Sequence, residues 1–271
     1  MNQGSFRLRG GEELATYTWL PAGEPRAHVY LLHGFGEHAG RYTELAASLT
    51  GAGHALHAVD HRGHGRSTGR RAVVPSYHSV SDDFAEFLAG ENVAPAKTVL
   101  MGHSMGGPAA AQLALGHEAA GLVLSSPYLE PAKPPPAALF AALGVIRRLA
   151  PGLVVEKLKS SDLSRQKVEA DAYVADPLVH SGGVPAVSAH SLLMAGRDVL
   201  ARAASLELPL LIMHGAADSI AGVEGSRRLL AAAGSRDKQL IEFPEARHEV
   251  MNDLDRGEFF SQLLDWLDAR F

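Results

Sequence analysis

Thr98-Val99-Leu100-Met101-Gly102-His103-Ser104-Met105-Gly106-Gly107-Pro108-Ala109-Ala110-Ala111 decides how this chain is read. An apolar strand pattern runs into a Gly-x-Ser-x-Gly turn, and a run of small helix-compatible residues leaves it. In that order the motif describes a strand-to-helix turn tight enough to force its central residue into a strained backbone conformation. Glycines two positions to either side remove the side chains that would collide there. The serine hydroxyl then stands clear of a sheet edge, with a helix N-terminus beneath it to favour negative charge. Ser104 therefore reads as an activated nucleophile rather than an idle serine in a glycine-bordered turn.

Working outward, strand patterns at 28–32, 54–59, 98–101 and 122–124 alternate with amphipathic helix patterns at 41–49, 79–88 and 108–115. Phe84, Phe87 and Leu88 are spaced for one buried helix face. Residues 5–9 and 14–19, parted by Gly10-Gly11, read as an opening hairpin. Strand–helix alternation predicts an α/β fold with a mostly parallel central sheet flanked by helices. The rhythm breaks after Ser126-Pro127 and returns at 209–213, continuing with a helix at 224–233, a strand at 239–243 and a last helix at 254–271. The intervening stretch holds Pro134-Pro135-Pro136, an apolar segment and polar turns, with no strand pattern. Residues 1–127 and 208–271 are thus predicted to form the core, and 128–207 a helical cap or lid insertion.

Bulk properties narrow the function. The 271 residues are 46% apolar, enough for a large core. A net charge of -5, from 30 acidic and 25 basic residues, argues against a nucleic-acid partner. Cysteine is absent, which excludes disulfides, thiolate metal sites and a cysteine nucleophile. Residues 1–9 lack the apolar stretch of a secretory signal, and the longest apolar-or-glycine run, 137–146, is well short of the ~18 residues of a spanning helix. A cytoplasmic protein is expected.

A serine hydroxyl needs an adjacent base near neutral pH. Fourteen histidines are available, so position must choose among them. In a sheet of this type the acid follows a later strand and the histidine comes last. Asp218 lies just beyond the strand pattern 210–213, and His248 past the final strand. Taken singly, His248 is an exposed loop histidine and Asp218 a helix-capping carboxylate. In the order Ser104, Asp218, His248 they read as nucleophile, orienting acid and general base. The oxyanion needs backbone donors, assigned to the N–H of Met105 and to that of Phe35 in His33-Gly34-Phe35-Gly36. His61 and His64 precede the serine and fall outside that order. Asp60 and Arg62 read as loop-fixing residues, and no histidine–carboxylate spacing suggests a metal.

With these residues in hand the chain resembles the monoacylglycerol lipase family of the α/β-hydrolase superfamily. His33-Gly34-Phe35-Gly36-Glu37-His38-Ala39-Gly40-Arg41-Tyr42 resembles its oxyanion loop, and Asp60-His61-Arg62-Gly63-His64-Gly65-Arg66-Ser67 its next strand-end loop. Gly102-His103-Ser104-Met105-Gly106-Gly107 is similar to its nucleophile turn. Ser160-Ser161-Asp162-Leu163-Ser164-Arg165 and Asp176-Pro177-Leu178-Val179 resemble its cap segments. The resemblance implies an α/β-hydrolase fold and hydrolysis of a monoacylglycerol to fatty acid and glycerol, without metal or organic cofactor.

An acyl chain needs an apolar tunnel, and a glycerol head a few placed polar groups. Residues 137–146 are apolar all round and end at Arg147-Arg148, so Leu139, Phe140, Leu143 and Ile146 are candidate acyl-pocket residues. The outer face of the same segment either touches a membrane or micelle surface, with the arginines at the interface, or simply packs on the core or on another subunit. Glu37, Arg41, His103 and His180 are candidates for the head group, although for each a structural hydrogen-bond role outweighs direct substrate contact. Two other enzyme readings stay open, a lysophospholipase and a broad carboxylesterase. A phospholipid head would call for a basic cluster, and only Arg147-Arg148 and Arg227-Arg228 offer paired arginines. A non-catalytic binding protein of the same fold would be expected to lack a triad member, and none is missing.

Overall fold

The central strands are apolar on both faces, so each demands a helical layer on either side. In the computed structural model, which describes residues 1–271, they obtain it. The strands are β1 (Asn2–Arg7), β2 (Glu13–Trp19), β3 (His28–Leu32), β4 (Ala55–Val59), β5 (Thr98–His103), β6 (Gly121–Ser125), β7 (Val154–Glu156), β8 (Val184–Pro185), β9 (Leu210–Gly215) and β10 (Lys238–Phe243). The helices are α1 (Thr43–Gly51), α2 (Ser79–Gly90), α3 (Gly106–Ala114), α4 (Ala137–Leu149), α5 (Lys167–Ala175), α6 (Ala186–Arg202), α7 (Val223–Ala232) and α8 (Arg256–Asp268).

Eight strands form one sheet in the order β1-β2-β4-β3-β5-β6-β9-β10. The β1–β2 hairpin and the β2–β4 pair are antiparallel, and the remaining pairs are parallel. Strand alternation divides the core in two. Tyr30, Leu32, Leu100, Leu122, Leu124, Leu210 and Ile212 face a cluster that includes Phe84 and Phe87 of α2, Leu113 of α3 and Leu229 of α7. Val29, Leu31, Val99, Met101, Val123, Leu211 and Met213 face the opposite cluster, with Leu45 and Leu49 of α1 and Phe259, Leu263 and Trp266 of α8. This is the α/β-hydrolase fold: a mostly parallel sheet flanked by helices.

Between β6 and β9 the chain leaves the sheet and forms α4, α5 and α6. The expectation of no strand here needs correction, because β7 and β8 pair antiparallel as a separate two-stranded ribbon. Strands of three and two residues cannot display a period-2 pattern, and β8 ends in a proline. The helix α4 also runs past Arg147-Arg148 to Leu149 and buries only Leu143. Leu139 is 58% exposed and Leu149 81%, so this apolar helix turns much of its surface to solvent. Along α6, Ala189, Leu192 and Val199 join the core cluster on the α3 side of the sheet. No helix is long and apolar enough to cross a membrane.

Candidate active site

Ser104 follows β5 directly and has φ 51°, the left-handed conformation that a nucleophile turn imposes on a non-glycine residue. Glycine makes the turn possible. A Cβ at Gly106 would overlap the Leu32 carbonyl, and one at Gly102 the Gly106 carbonyl. The Ser104 N–H donates to Ser125 O at 3.1 Å, and its carbonyl accepts from Tyr128 at 2.9 Å and Gly107 at 3.0 Å. Backbone bonds thus hold the strained residue from three sides.

Asp218, beyond β9, and His248, beyond β10, converge on this turn. The Ser104 hydroxyl lies 2.8 Å from His248 Nε2, and His248 Nδ1 lies 2.7 Å from Asp218 Oδ2. The carboxylate can only accept, so it fixes the proton on Nδ1 and leaves Nε2 free to take the serine proton. Asp218 Oδ1 accepts from the N–H groups of Ile220 at 2.8 Å and Ala221 at 3.0 Å, which holds the carboxylate in place. His214, which sequence reading passed over, puts Nε2 3.3 Å from Asp218 Oδ2. Burial raises the Asp218 carboxyl, but His248 and His214 outweigh it and hold the group well below its ordinary value. Burial pushes His248 down, and the facing Asp218 carboxylate more than reverses this, so the imidazole sits above its ordinary value. Such an arrangement can transfer a proton from Ser104 to His248 and stabilise the resulting imidazolium.

Neither the Phe35 nor the Met105 N–H donates to any group of the chain. Unpaired donors beside a buried serine are available for a ligand oxygen. His33 explains the aim of the first. Its Nδ1–H donates to Gly34 O at 2.7 Å, and its Nε2 accepts the His61 N–H at 2.9 Å. Gly34 C=O and Phe35 N–H belong to one planar trans peptide, so anchoring the carbonyl on His33 points the N–H the opposite way. Burial, with His61 and His64 nearby, keeps His33 far below its ordinary value and hence neutral. The fixed tautomer of His33 carries no sequence signature, which is why it escaped reading.

Glu37 and Arg41, expected near a head group, belong to a buried ion network. Glu37 Oε1 accepts from the Gly34 N–H and the Tyr42 hydroxyl, each at 2.6 Å, and Oε2 from Arg41 at 2.7 Å. Arg41 also grips Glu249, the neighbour of His248, through two 2.7 Å bonds. With its guanidinium committed to two carboxylates, Arg41 lines none of the cavities near Ser104 and is not placed to meet a head group. The end of the Ser160–Asp162 turn and the residue after it back the same loop: His248 N–H donates to Asp162 O at 3.5 Å and Glu249 N–H to Leu163 O at 2.8 Å. Asp60 accepts from the N–H groups of Ala39 and Arg66 and from the Tyr17 hydroxyl, and Arg62 pairs with Asp83 and Glu12. Both therefore fix loops.

Two cavities reach the serine, and a third shares Phe35 and Leu158 with them. The largest, about 370 Å³, has Ser104, Phe35 and Met105 at its wall and is otherwise mostly apolar. Leu139, Phe140, Leu143 and Ile146 of α4 all line it. Sequence reading did not anticipate Tyr128, Val155, Leu158, Leu192, Leu193 and Ile220, which come from four other segments. A small cavity of about 30 Å³ touches Ser104, His248, Glu37, His103 and Glu249. His180 lies elsewhere, on a third cavity of about 320 Å³, where its ring stands edge-on to Phe35. No group of three or more histidine, aspartate or glutamate side chains is arranged to hold a metal ion.

Comparison with known proteins identifies what the whole chain is similar to. Residues 23–255 match the Hydrolase_4 family, described as serine aminopeptidase S33. The chain is 36% identical over 267 residues to a monoacylglycerol lipase of Mycolicibacterium smegmatis, covering 97% of this chain and 95% of that one. It is 35% identical over 269 residues to the monoglyceride lipase of Homo sapiens, covering 96% and 88% respectively. The crystal structure of a Paleococcus ferrophilus monoacylglycerol lipase superposes with a TM-score of 0.84 at 33% identity, over 95% of this chain and 99% of that one.

Proposed function

The chain belongs to the monoacylglycerol lipase family of serine α/β-hydrolases, and on that footing we propose that it cleaves a monoacylglycerol to a free fatty acid and glycerol through an acyl-enzyme on Ser104. The observation that carries the reading is the joining of a hydrogen-bonded Ser104–His248–Asp218 relay to a 370 Å³ apolar cavity. A cavity of that size suits one alkyl chain and buries most of it.

In the proposed reaction Ser104 Oγ attacks the ester carbonyl while His248 Nε2 takes its proton. Asp218 holds the imidazole tautomer and stabilises the imidazolium. The oxyanion forms against the Phe35 and Met105 N–H groups, each worth on the order of 3 kcal/mol in such sites. Collapse of the tetrahedral species expels the glycerol oxygen, which collects the proton from His248. Water then repeats the sequence on the acyl-enzyme and releases the fatty acid. No metal or organic cofactor takes part.

The acyl chain lies along Leu139, Phe140, Leu143 and Ile146, under the cap formed by residues 128–207. Glu37, His103 and Glu249 border the small cavity beside Ser104 and are the polar groups proposed to face a departing glycerol. Exposed Leu139, Val145 and Leu149 on α4, with Leu153, Val154 and Val155 beside them, support peripheral contact with a lipid surface near the cavity mouth. A cytoplasmic site of action is part of the same proposal. The lysophospholipase alternative is disfavoured because the small cavity beside Ser104 is lined by Glu37 and Glu249 and by no lysine or arginine.

A hydrolysis panel tests the assignment. It compares 1- and 2-monoacylglycerols of graded chain length with diacylglycerol, lysophospholipid and short nitrophenyl esters. Monoacylglycerols should have the highest kcat/KM, and a clear preference for lysophospholipid or acetate esters would overturn the reading.

A further inference from the structure

Phe35 and Leu158 are the two residues that line all three cavities, and Tyr173 lines two of them. They stand between the small space beside the triad, about 30 Å³, and the third cavity, about 320 Å³. Two parts of this partition are pinned. The Phe35 ring meets His64 edge-on at 5.4 Å and His180 at 6.4 Å. The Tyr173 ring lies under the Arg41 guanidinium at 4.7 Å. Leu158 rests against the edge of the apolar core cluster, with no aromatic or cationic contact to fix it. It is half-buried, in the loop after β7, and its side chain is the removable part of the wall.

The chemistry behind the wall differs from that of the acyl cavity. Ser160, Ser181, His180 and Asp176 give the third cavity a polar lining. Burial acts to raise the Asp176 carboxyl, but the 2.8 Å contact with His38 and the Leu178 N–H outweigh it, so the group is anionic. No lysine or arginine lines this cavity or the small one. The space accordingly suits hydroxyl groups and opposes phosphate.

We infer that Phe35, Tyr173 and Leu158 form the size limit for the alcohol half of the ester, and that the polar cavity behind them accepts the head of a larger neutral polyol ester when Leu158 is trimmed. The inference rests on the ester-hydrolase reading above and concerns which alcohol is tolerated, not whether Ser104 reacts.

The test uses three esters with the same acyl chain: glycerol monolaurate, sucrose monolaurate and monolauroyl glycerol phosphate. Wild type should cleave the glycerol ester well and the sucrose ester poorly. The sucrose-to-glycerol ratio of kcat/KM should rise stepwise through Leu158→Val and Leu158→Ala, by roughly tenfold for alanine, the scale on which pocket size discriminates. Phe35→Ala should raise the same ratio, and the phosphate ester should gain nothing in any variant. An unchanged ratio in variants that retain the wild-type circular dichroism spectrum overturns the inference. So does equal cleavage of both neutral esters by wild type, or a gain on the phosphate ester matching that on sucrose. Failure of wild type to cleave glycerol monolaurate would instead remove the underlying hydrolase reading.

Discussion

Arg41 and Glu249, 208 positions apart in the chain, meet fork to fork through two 2.7 Å hydrogen bonds. Arg41 also holds Glu37, whose other oxygen receives the Gly34 N–H. One guanidinium therefore ties the loop that carries the Phe35 N–H to the loop that carries His248. All three side chains are nearly inaccessible to solvent. Removing one member of such a group leaves uncompensated buried charge.

Arg41→Met should accordingly destabilise the protein by about 3–5 kcal/mol at neutral pH, measured by urea unfolding. Burial raises the Glu249 carboxyl, but Arg41 dominates and brings it down to about 2. A lowered carboxyl contributes stability that is complete above its unfolded value, about 4.3, and is lost as pH falls through the folded one. The wild-type advantage over Arg41→Met should hence shrink between about pH 4 and pH 2. A loss under 1 kcal/mol at neutral pH would show the network to be dispensable.

His248 must be neutral to accept the Ser104 proton, and its value is raised above the ordinary 6.5 by Asp218. The rising limb of kcat/KM with pH should therefore have its midpoint above 6.5. Asp218→Asn removes the charge that raises it and permits the wrong tautomer. Turnover should fall on the order of 10⁴-fold, with the residual activity titrating at lower pH than wild type. If that variant keeps near-wild-type turnover while another aspartate variant loses it, the acid has been misassigned.

His33→Ala releases the Gly34 carbonyl, so the Phe35 N–H loses its aim although the donor itself remains. The expected result is a fall in kcat on the order of 10²-fold, comparable with loss of one oxyanion donor, with little change in KM. A purely structural role would lower the melting temperature and leave kcat of the folded fraction intact.

Val145 and Leu149 are exposed on α4 and line none of the three cavities. Wild-type protein should co-sediment with liposomes, and Val145→Ser combined with Leu149→Ser should abolish this while a soluble short-chain ester is still cleaved. Unaltered co-sedimentation of the double variant would place the lipid contact elsewhere.

How much of this is legible in the sequence depends on how local each signal is. The turn at Ser104 is written in five consecutive residues, and the positions of Asp218 and His248 follow from counting strands. The four α4 residues that line the large cavity stand out because the helix is apolar on all sides, although the sequence does not show that much of its surface meets solvent. The chain offers both a head-group and a structural role for Arg41 and cannot name its partner, because Glu249 lies across the fold and a distant ion pair leaves no pattern along the sequence. His33 and His214 look like any other members of a histidine-rich sequence, and only hydrogen-bond geometry separates them. The β7–β8 ribbon is too short for periodicity to reveal.

Everything proposed here depends on Ser104 turning over a monoacylglycerol. The most direct measurement is release of glycerol and fatty acid from a purified monoacylglycerol by wild type and by Ser104→Ala, each checked for folding by circular dichroism. Wild type should release the two products in equimolar amounts and the variant almost none. Comparable release by the folded variant, or wild-type inertness toward monoacylglycerol, would contradict that role of Ser104.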